Sequence, residues 1–355
     1  MPHLMQAFSL RPETMESIYR TWLASMWNGR LDRRMKELLA VCVSKVAQCD
    51  YCADTHMIFL QATGMEGSHA FEVERKLSAA EGLGAGERAA IEFARRLTSD
   101  PRALSADDLI ALHEAWPDRH AQAEIVSIIA AFNAITRMAN ALGIHPEIPA
   151  ALRRFKSSRR GAISLLSRIT SLSVDLGEKS VPGRMPEDNR VALERLFVAD
   201  LGFDEVPPGF SLLENCPELF DGQIRSIEKA VAVLPRDRWM SIGLVVGRLT
   251  GCDYYAVNCA AWLDQRGIDA HHVIAASEGA ASPLPEAEER CLRFTRDLTL
   301  HSHTIREDRI HALRRVGFSD GAVLDLAYAG GVFNGLVRLT RALEPLERIH
   351  QRGCA

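Results

Sequence analysis

The second half of this 355-residue chain repeats the first. Cys49-Asp50-Tyr51 recurs as Cys252-Asp253-Tyr254, displaced by 203 positions. Phe93-x-Arg95-x-Leu97-Thr98 recurs as Phe294-x-Arg296-x-Leu298-Thr299, displaced by 201. Phe132-Asn133-x3-Arg137 recurs as Phe333-Asn334-x3-Arg338, and Ala141-Leu142 as Ala342-Leu343, both again at 201. One nearly constant displacement through separate segments marks a repeated structural unit. The sequence therefore predicts two copies of a domain of about 145 residues, with a small insertion or deletion behind the two-residue drift. The expected boundaries are 1–150, a linker over 151–190, and 191–355, and the chain is long enough for two separate cores.

The local pattern is helical. Glu37–Ser44 is a mostly apolar run of good helix formers, with Glu37 near its start. Gln48-Cys49-Asp50-Tyr51 reads as a break before a second helix from about Cys52 to Thr63, stopped by Gly64. Further helices are expected over 86–99, 105–116 and 121–142. Ser105 and Asp108 form a capping box, and Gly143 with Pro146 is a stop. No segment sustains the two-residue alternation of a strand. The predicted fold class is all-α, two tandem bundles of about six helices each.

Apolar residues make up 47% and charged residues 25%, as in ordinary globular proteins. A net charge of −4 leaves no electrostatic footprint for nucleic acid. No uninterrupted apolar run reaches the length of a membrane span, and the first residues lack a basic-then-apolar signal pattern. A cytoplasmic location without nucleic-acid or membrane partners is the expectation. The eight cysteines are too sparse for a disulfide scaffold. In a reducing compartment the single Cys-x-x-Cys pair is expected to be redox-active or metal-binding rather than structural. Cys42 and Cys291 fall in apolar helical patterns and read as inert core; Cys354 reads as an exposed thiol near the end of the chain.

That pair belongs to a larger set, Glu37-x11-Cys49-x2-Cys52-x3-His56. Two thiols three residues apart can bridge across a helical turn. His56 lies one turn after Cys52 on the same face, where it can polarise the thiol. On one continuous helix Glu37 and His56 would sit about 100° apart, so the break at 48–51 is needed to bring the acid back to the histidine. Cysteines in the first turn of the second helix would also feel its dipole. A zinc site is a rival reading of the Cys/Cys/His set, but no fourth Cys or His is evident nearby. No flavin, haem or nicotinamide fingerprint is present.

The spacing resembles the motif of the alkylhydroperoxidase D-like proteins, within the carboxymuconolactone decarboxylase superfamily. Phe93-Ala94-Arg95-Arg96-Leu97-Thr98 and Phe132-Asn133-x3-Arg137 resemble the later helices of peroxidase-related members, so the likeness covers roughly residues 8–147. The resemblance implies an all-α bundle and a thiol-dependent peroxidase or disulfide reductase acting on a small molecule such as an organic hydroperoxide. Cys52 would be the nucleophile, Cys49 the resolving thiol, His56 the base and Glu37 its partner. A thioredoxin-like or lipoyl protein would supply the reducing dithiol, with no bound cofactor or metal. Two other functions stay open: a carboxymuconolactone-decarboxylase-like enzyme acting on a small organic acid, and a non-catalytic redox sensor. Relatives with one domain assemble as trimers or hexamers, which implies a homo-oligomer here, a trimer of two-domain chains.

The copies diverge where chemistry would occur. At a displacement of 203, Cys52 becomes Tyr255, His56 becomes Cys259 and Glu37 becomes Met240. Cys252 and Cys259 are about two turns, or roughly 10 Å, apart on a helix and cannot readily bridge. The second copy therefore reads as degenerate, a partner for the first. Phe132, Asn133 and Arg137 recur in it and are assigned to fold or assembly. Tyr51 stands where some members of the family carry a histidine and reads equally as a hydrogen-bond donor or a packing residue. Ser44 is placed where it can face the site, and Trp22 and Trp27 fit either a pocket entrance or an oligomer contact. His69, His113 and His120 read as surface residues, and the basic run Arg153–Arg160 as a solvated linker or helix end.

Overall fold

The computed structural model describes residues 2–173, 189–213 and 216–353, and every regular element among them is helical. The principal helices of the first half are α1 (Pro12–Trp27), α2 (Arg33–Val46), α3 (Asp50–Ala62), α4 (Gly67–Lys76), α5 (Ala85–Ser99), α6 (Ala106–Ala115), α7 (Arg119–Ala141) and α8 (Lys156–Ser173). Those of the second are α9 (Pro217–Ala232), α10 (Arg236–Thr250), α11 (Asp253–Asp264), α12 (Ala270–Glu278), α13 (Glu286–His301), α14 (Glu307–Arg315) and α15 (Asp320–Gly353). Helix α2 packs on α3 and α5, and α10 packs in the same way on α11 and α13. The expected capping box forms at α6, where Ser105 and Asp108 exchange hydrogen bonds.

Helices α7 and α15 run against each other at the centre. Small residues permit this close approach. A Cβ at Gly331 would meet Met138 Cγ at 2.7 Å, and one at Gly335 would meet the Ala130 carbonyl oxygen at 3.0 Å. Helix α15 is long and apolar enough to cross a membrane by length and composition, although its apolar residues do not form one unbroken run. However, 94% of that stretch is buried inside the protein, as expected of a core helix.

The seam between the halves repeats itself. Asn133 Nδ2 donates to Thr98 Oγ1 at 2.9 Å, and Asn334 Nδ2 donates to Thr299 Oγ1 at 3.1 Å. Each asparagine also accepts from the arginine four residues on, Arg137 at 2.6 Å and Arg338 at 3.0 Å. Each arginine then crosses to the other half. Arg137 Nε donates to the Thr299 carbonyl at 3.4 Å, and Arg338 Nε to the Leu97 carbonyl at 3.1 Å. Helix α1 crosses too, with Thr21 Oγ1 donating to the Gly222 carbonyl at 3.2 Å and Arg11 Nε paired with Asp325 at 2.9 Å.

Within the stretch expected as a linker, residues 150–153 and 156–173 are helical, and α8 packs on α3. The basic run is no solvated tether. Arg153 Nε and Arg159 Nε each donate to the buried Asp54 carboxylate at 2.7 Å, and Arg159 also holds Glu74. Two arginines satisfy a carboxylate that burial would otherwise penalise. Gly177–Pro186 and Cys354 lie outside the described residues.

Candidate active site

Helix α2 starts at Asp32, whose carboxylate accepts from Met35 N–H at 2.7 Å, and it ends at Val46. Gln48 then takes a left-handed backbone, φ 54°, a conformation that costs a non-glycine residue roughly 1–2 kcal/mol. The matching position in the second half is Gly251, φ 67°. This turn sends α3 back along α2, and Cys49 becomes its N-cap residue, with Sγ accepting from Cys52 N–H at 3.3 Å. The predicted break is therefore present and does what the motif requires.

Glu37 and His56 meet. His56 Nδ1 lies 2.6 Å from Glu37 Oε2, and the carboxylate is wholly buried. With an ionised carboxylate at Nδ1 that nitrogen carries the proton, leaving Nε2 as the basic atom. Cys49 Sγ and Cys52 Sγ share a hydrogen bond at 2.8 Å, and both thiols are free and buried. Cys52 and His56 line a largely apolar cavity of about 150 Å³ with Trp22, Tyr51, Phe59 and Phe132, covered by Leu4 and Met5 of the first helical turn. His56 makes no hydrogen bond to Cys52 among the described residues; the two are neighbours on one wall of the cavity. Burial, and then the hydrogen bond with Cys49, push the Cys52 thiol well above its ordinary pKa. Cys52 therefore rests as a thiol and needs a base to become a nucleophile.

Two site residues escaped the sequence reading. Arg33 Nε donates to the other oxygen of Glu37 at 2.7 Å, so the carboxylate bridges a guanidinium and an imidazole. Arg33 stacks 3.9 Å above the Trp27 ring centroid, an apolar seat that attracts cations. The i,i+4 spacing of Arg33 and Glu37 was visible, but such pairs are common on exposed helix faces. Phe132, assigned to fold or assembly, stands edge-on to the His56 ring at 4.6 Å and is a cavity wall. Its recurrence as Phe333 in the second half pointed to a shared structural role and did not reveal this one.

Other expectations need adjusting. Ser44 is buried and spends its hydroxyl on the Ala40 carbonyl at 2.6 Å, not on the site. His69, His113 and His120 are half-buried rather than exposed, and His113 packs edge-on to His350 at 4.9 Å. Trp22 lines the cavity, and its ring meets Trp27 at 4.5 Å. Tyr51 is also a wall residue, its phenol pushed above the usual range by burial.

In the second half, Met240, Tyr255 and Cys259 are buried beneath Trp239 and Phe333, whose rings lie 3.9 Å apart. Cys252 again precedes a helix but caps it with no side-chain hydrogen bond, and burial pushes its pKa up to about 12. Among the described residues no three or more His, Cys, Asp or Glu side chains are grouped so as to hold a metal ion.

Residues 12–96 match the sequence model of the carboxymuconolactone decarboxylase family. Among solved structures the chain is similar to an alkylhydroperoxidase AhpD core, described as an uncharacterized peroxidase-related protein, from Ralstonia eutropha JMP134. That likeness is at 23% identity with a TM-score of 0.40, and it covers 47% of this chain and 82% of the other. No curated protein matches the chain. Glu37, Cys49, Cys52 and His56 all fall inside the matched segment, so the likeness to the carboxymuconolactone decarboxylase family takes in all four.

Proposed function

We propose that the first half is a thiol-dependent peroxidase, or disulfide redox enzyme, and that the second half is a duplicated, non-catalytic partner. The observation that carries this is one apolar cavity walled by both a paired thiol and a carboxylate-held imidazole. Neutral, apolar walls suit an organic hydroperoxide. His56 Nε2 takes the Cys52 proton, and the thiolate attacks the terminal peroxide oxygen. The O–O bond breaks, Cys52 becomes a sulfenic acid, and Cys49 protonates the departing alkoxide, which leaves as an alcohol. The Cys49 thiolate then attacks the Cys52 sulfur. Hydroxide leaves, takes the proton from His56 and departs as water, and the Cys49–Cys52 disulfide remains. An external dithiol of the thioredoxin or lipoyl type reduces it.

The test is consumption of cumene hydroperoxide, then hydrogen peroxide, with a dithiol reductant, followed by peptide mapping of the disulfide. Turnover with a Cys49–Cys52 bridge is expected. A bridge that forms and reduces reversibly without any peroxide consumption would defeat the reading. Glu37→Gln preserves shape but removes the charge that holds the His56 Nδ1 proton; kcat/KM should fall by about a hundredfold. A variant as active as the wild type would remove Glu37 from the machinery. A homo-oligomer, trimeric by the expectation above, belongs to the same proposal, and a strict monomer by light scattering excludes that part.

A further inference from the structure

A second cavity, of about 240 Å³, opens at the seam between the halves and shares no lining residue with the thiol cavity. Arg137 and Arg338, one from each half, line it, with Gln48, Asp100, His301 and His303 around them. The two arginines are 6% and 2% exposed, and among the described residues neither forms an ion pair with a carboxylate. Each donates through Nε to a carbonyl in the last turn of a helix, and through Nη1 to an asparagine. Among the described residues Nη2 of each has no hydrogen-bond partner.

Two buried cations of one sign, side by side, require compensation. The C-termini of α5 and α13 each contribute about half a negative charge, which offsets only part of the two positive charges. Asp100 is exposed and engaged as a cap on Arg102 N–H at 3.0 Å. Burial pushes Arg137 down to about 10, and Arg338 is lowered by burial and then by Arg137 itself. His303 is held below the usual histidine range by burial, and then by His301 and Arg306.

We propose that this seam cavity binds a small oxyanion, sulfate- or phosphate-like, gripped between the free Nη2 groups of Arg137 and Arg338. Guanidinium groups match the oxygen spacing of such anions and hold them by charge-assisted hydrogen bonds. The volume has room for the anion and a few waters of about 30 Å³ each. Because the ligand bridges both halves, it stabilises their pairing.

The test is calorimetric titration of the full chain with sodium sulfate and with sodium phosphate, against sodium chloride at matched ionic strength. One saturable site per chain is expected for both. Arg338→Met should weaken it by about tenfold or more. Asp100→Asn, at an exposed position, should tighten it severalfold. Absence of binding beyond matched chloride overturns the proposal, as does unchanged affinity in Arg338→Met. If Arg338→Met does not fold, Asp100→Asn decides alone: tighter binding supports the site, and unchanged affinity overturns it.

Discussion

On the proposed mechanism, Cys52→Ser is expected to abolish peroxide-driven oxidation of the dithiol, by at least about a thousandfold, while Cys252→Ser is expected to stay close to the wild-type rate. The asymmetry is expected from the surroundings of the two positions. Cys52 lines a cavity with His56, whose other nitrogen is held by Glu37 at 2.6 Å. Cys252 has Met240 where the acid would be and Cys259 where the base would be, and both are buried. Without a base, a thiol raised to about 12 is almost entirely protonated at neutral pH. The wild-type enzyme should carry a matching pH signature. The Cys52 thiol is also raised, so its alkylation by iodoacetamide keeps accelerating as pH climbs past 9, the ordinary thiol value. Equal loss of activity in both variants would assign chemistry to each half, and full activity in Cys52→Ser would remove the thiol mechanism.

Lys36→Met is expected to be the most destabilising single change near the site, at about 3–5 kcal/mol by urea denaturation. Lys36 and Glu124 are 2% and 1% exposed and pair at 2.7 Å. Lys36 Nζ also donates to the Asn28 carbonyl, and Glu124 Oε2 accepts from Arg30 N–H at 2.7 Å and Leu31 N–H at 3.0 Å. The carboxylate sits against Gly29, whose backbone has φ 105°, so the pair fastens the loop that leads from α1 into α2. Removing the ammonium leaves a buried charge unopposed. The double variant Lys36→Met, Glu124→Gln should recover part of the loss, because an amide oxygen still accepts the two N–H groups. If the double variant is as unstable as the single, the cost lies in packing rather than charge.

The parts of the structure legible in the sequence were those carried by spacing. The break at 48–51, the capping box at Ser105, and the approach of Glu37 to His56 follow from local rules acting over one or two turns. Residues whose role depends on distant partners were not legible. Arg33 looks like any helical i,i+4 cation until Trp27 covers it, and the recurrence of Phe132 as Phe333 signals a shared structural role, not a place beside His56. The basic run at 153–160 reads as solvated because Asp54 and Glu74, which bind it, are about 100 and 80 positions away. Arg137 and Arg338 stand out in the repeat, yet only their mutual proximity shows that two charges share one cavity.

The crossing of the seam also governs the order in which the molecule can be made. Helix α7 is complete at Ala141, yet the face it turns toward α15 finds its partner only when the chain from Asp320 onward emerges. At roughly 5–20 residues per second, the intervening 180 or so residues take on the order of ten to forty seconds to synthesise. During that interval the nascent first half presents an uncovered apolar helix, flanked by an arginine whose acceptor does not yet exist. The bond from Arg338 to Leu97 joins positions 241 apart in sequence and cannot form before Arg338 has been made. Shielding of that apolar face until α15 arrives is thus a requirement set by the order of synthesis, separate from the stability of the finished protein.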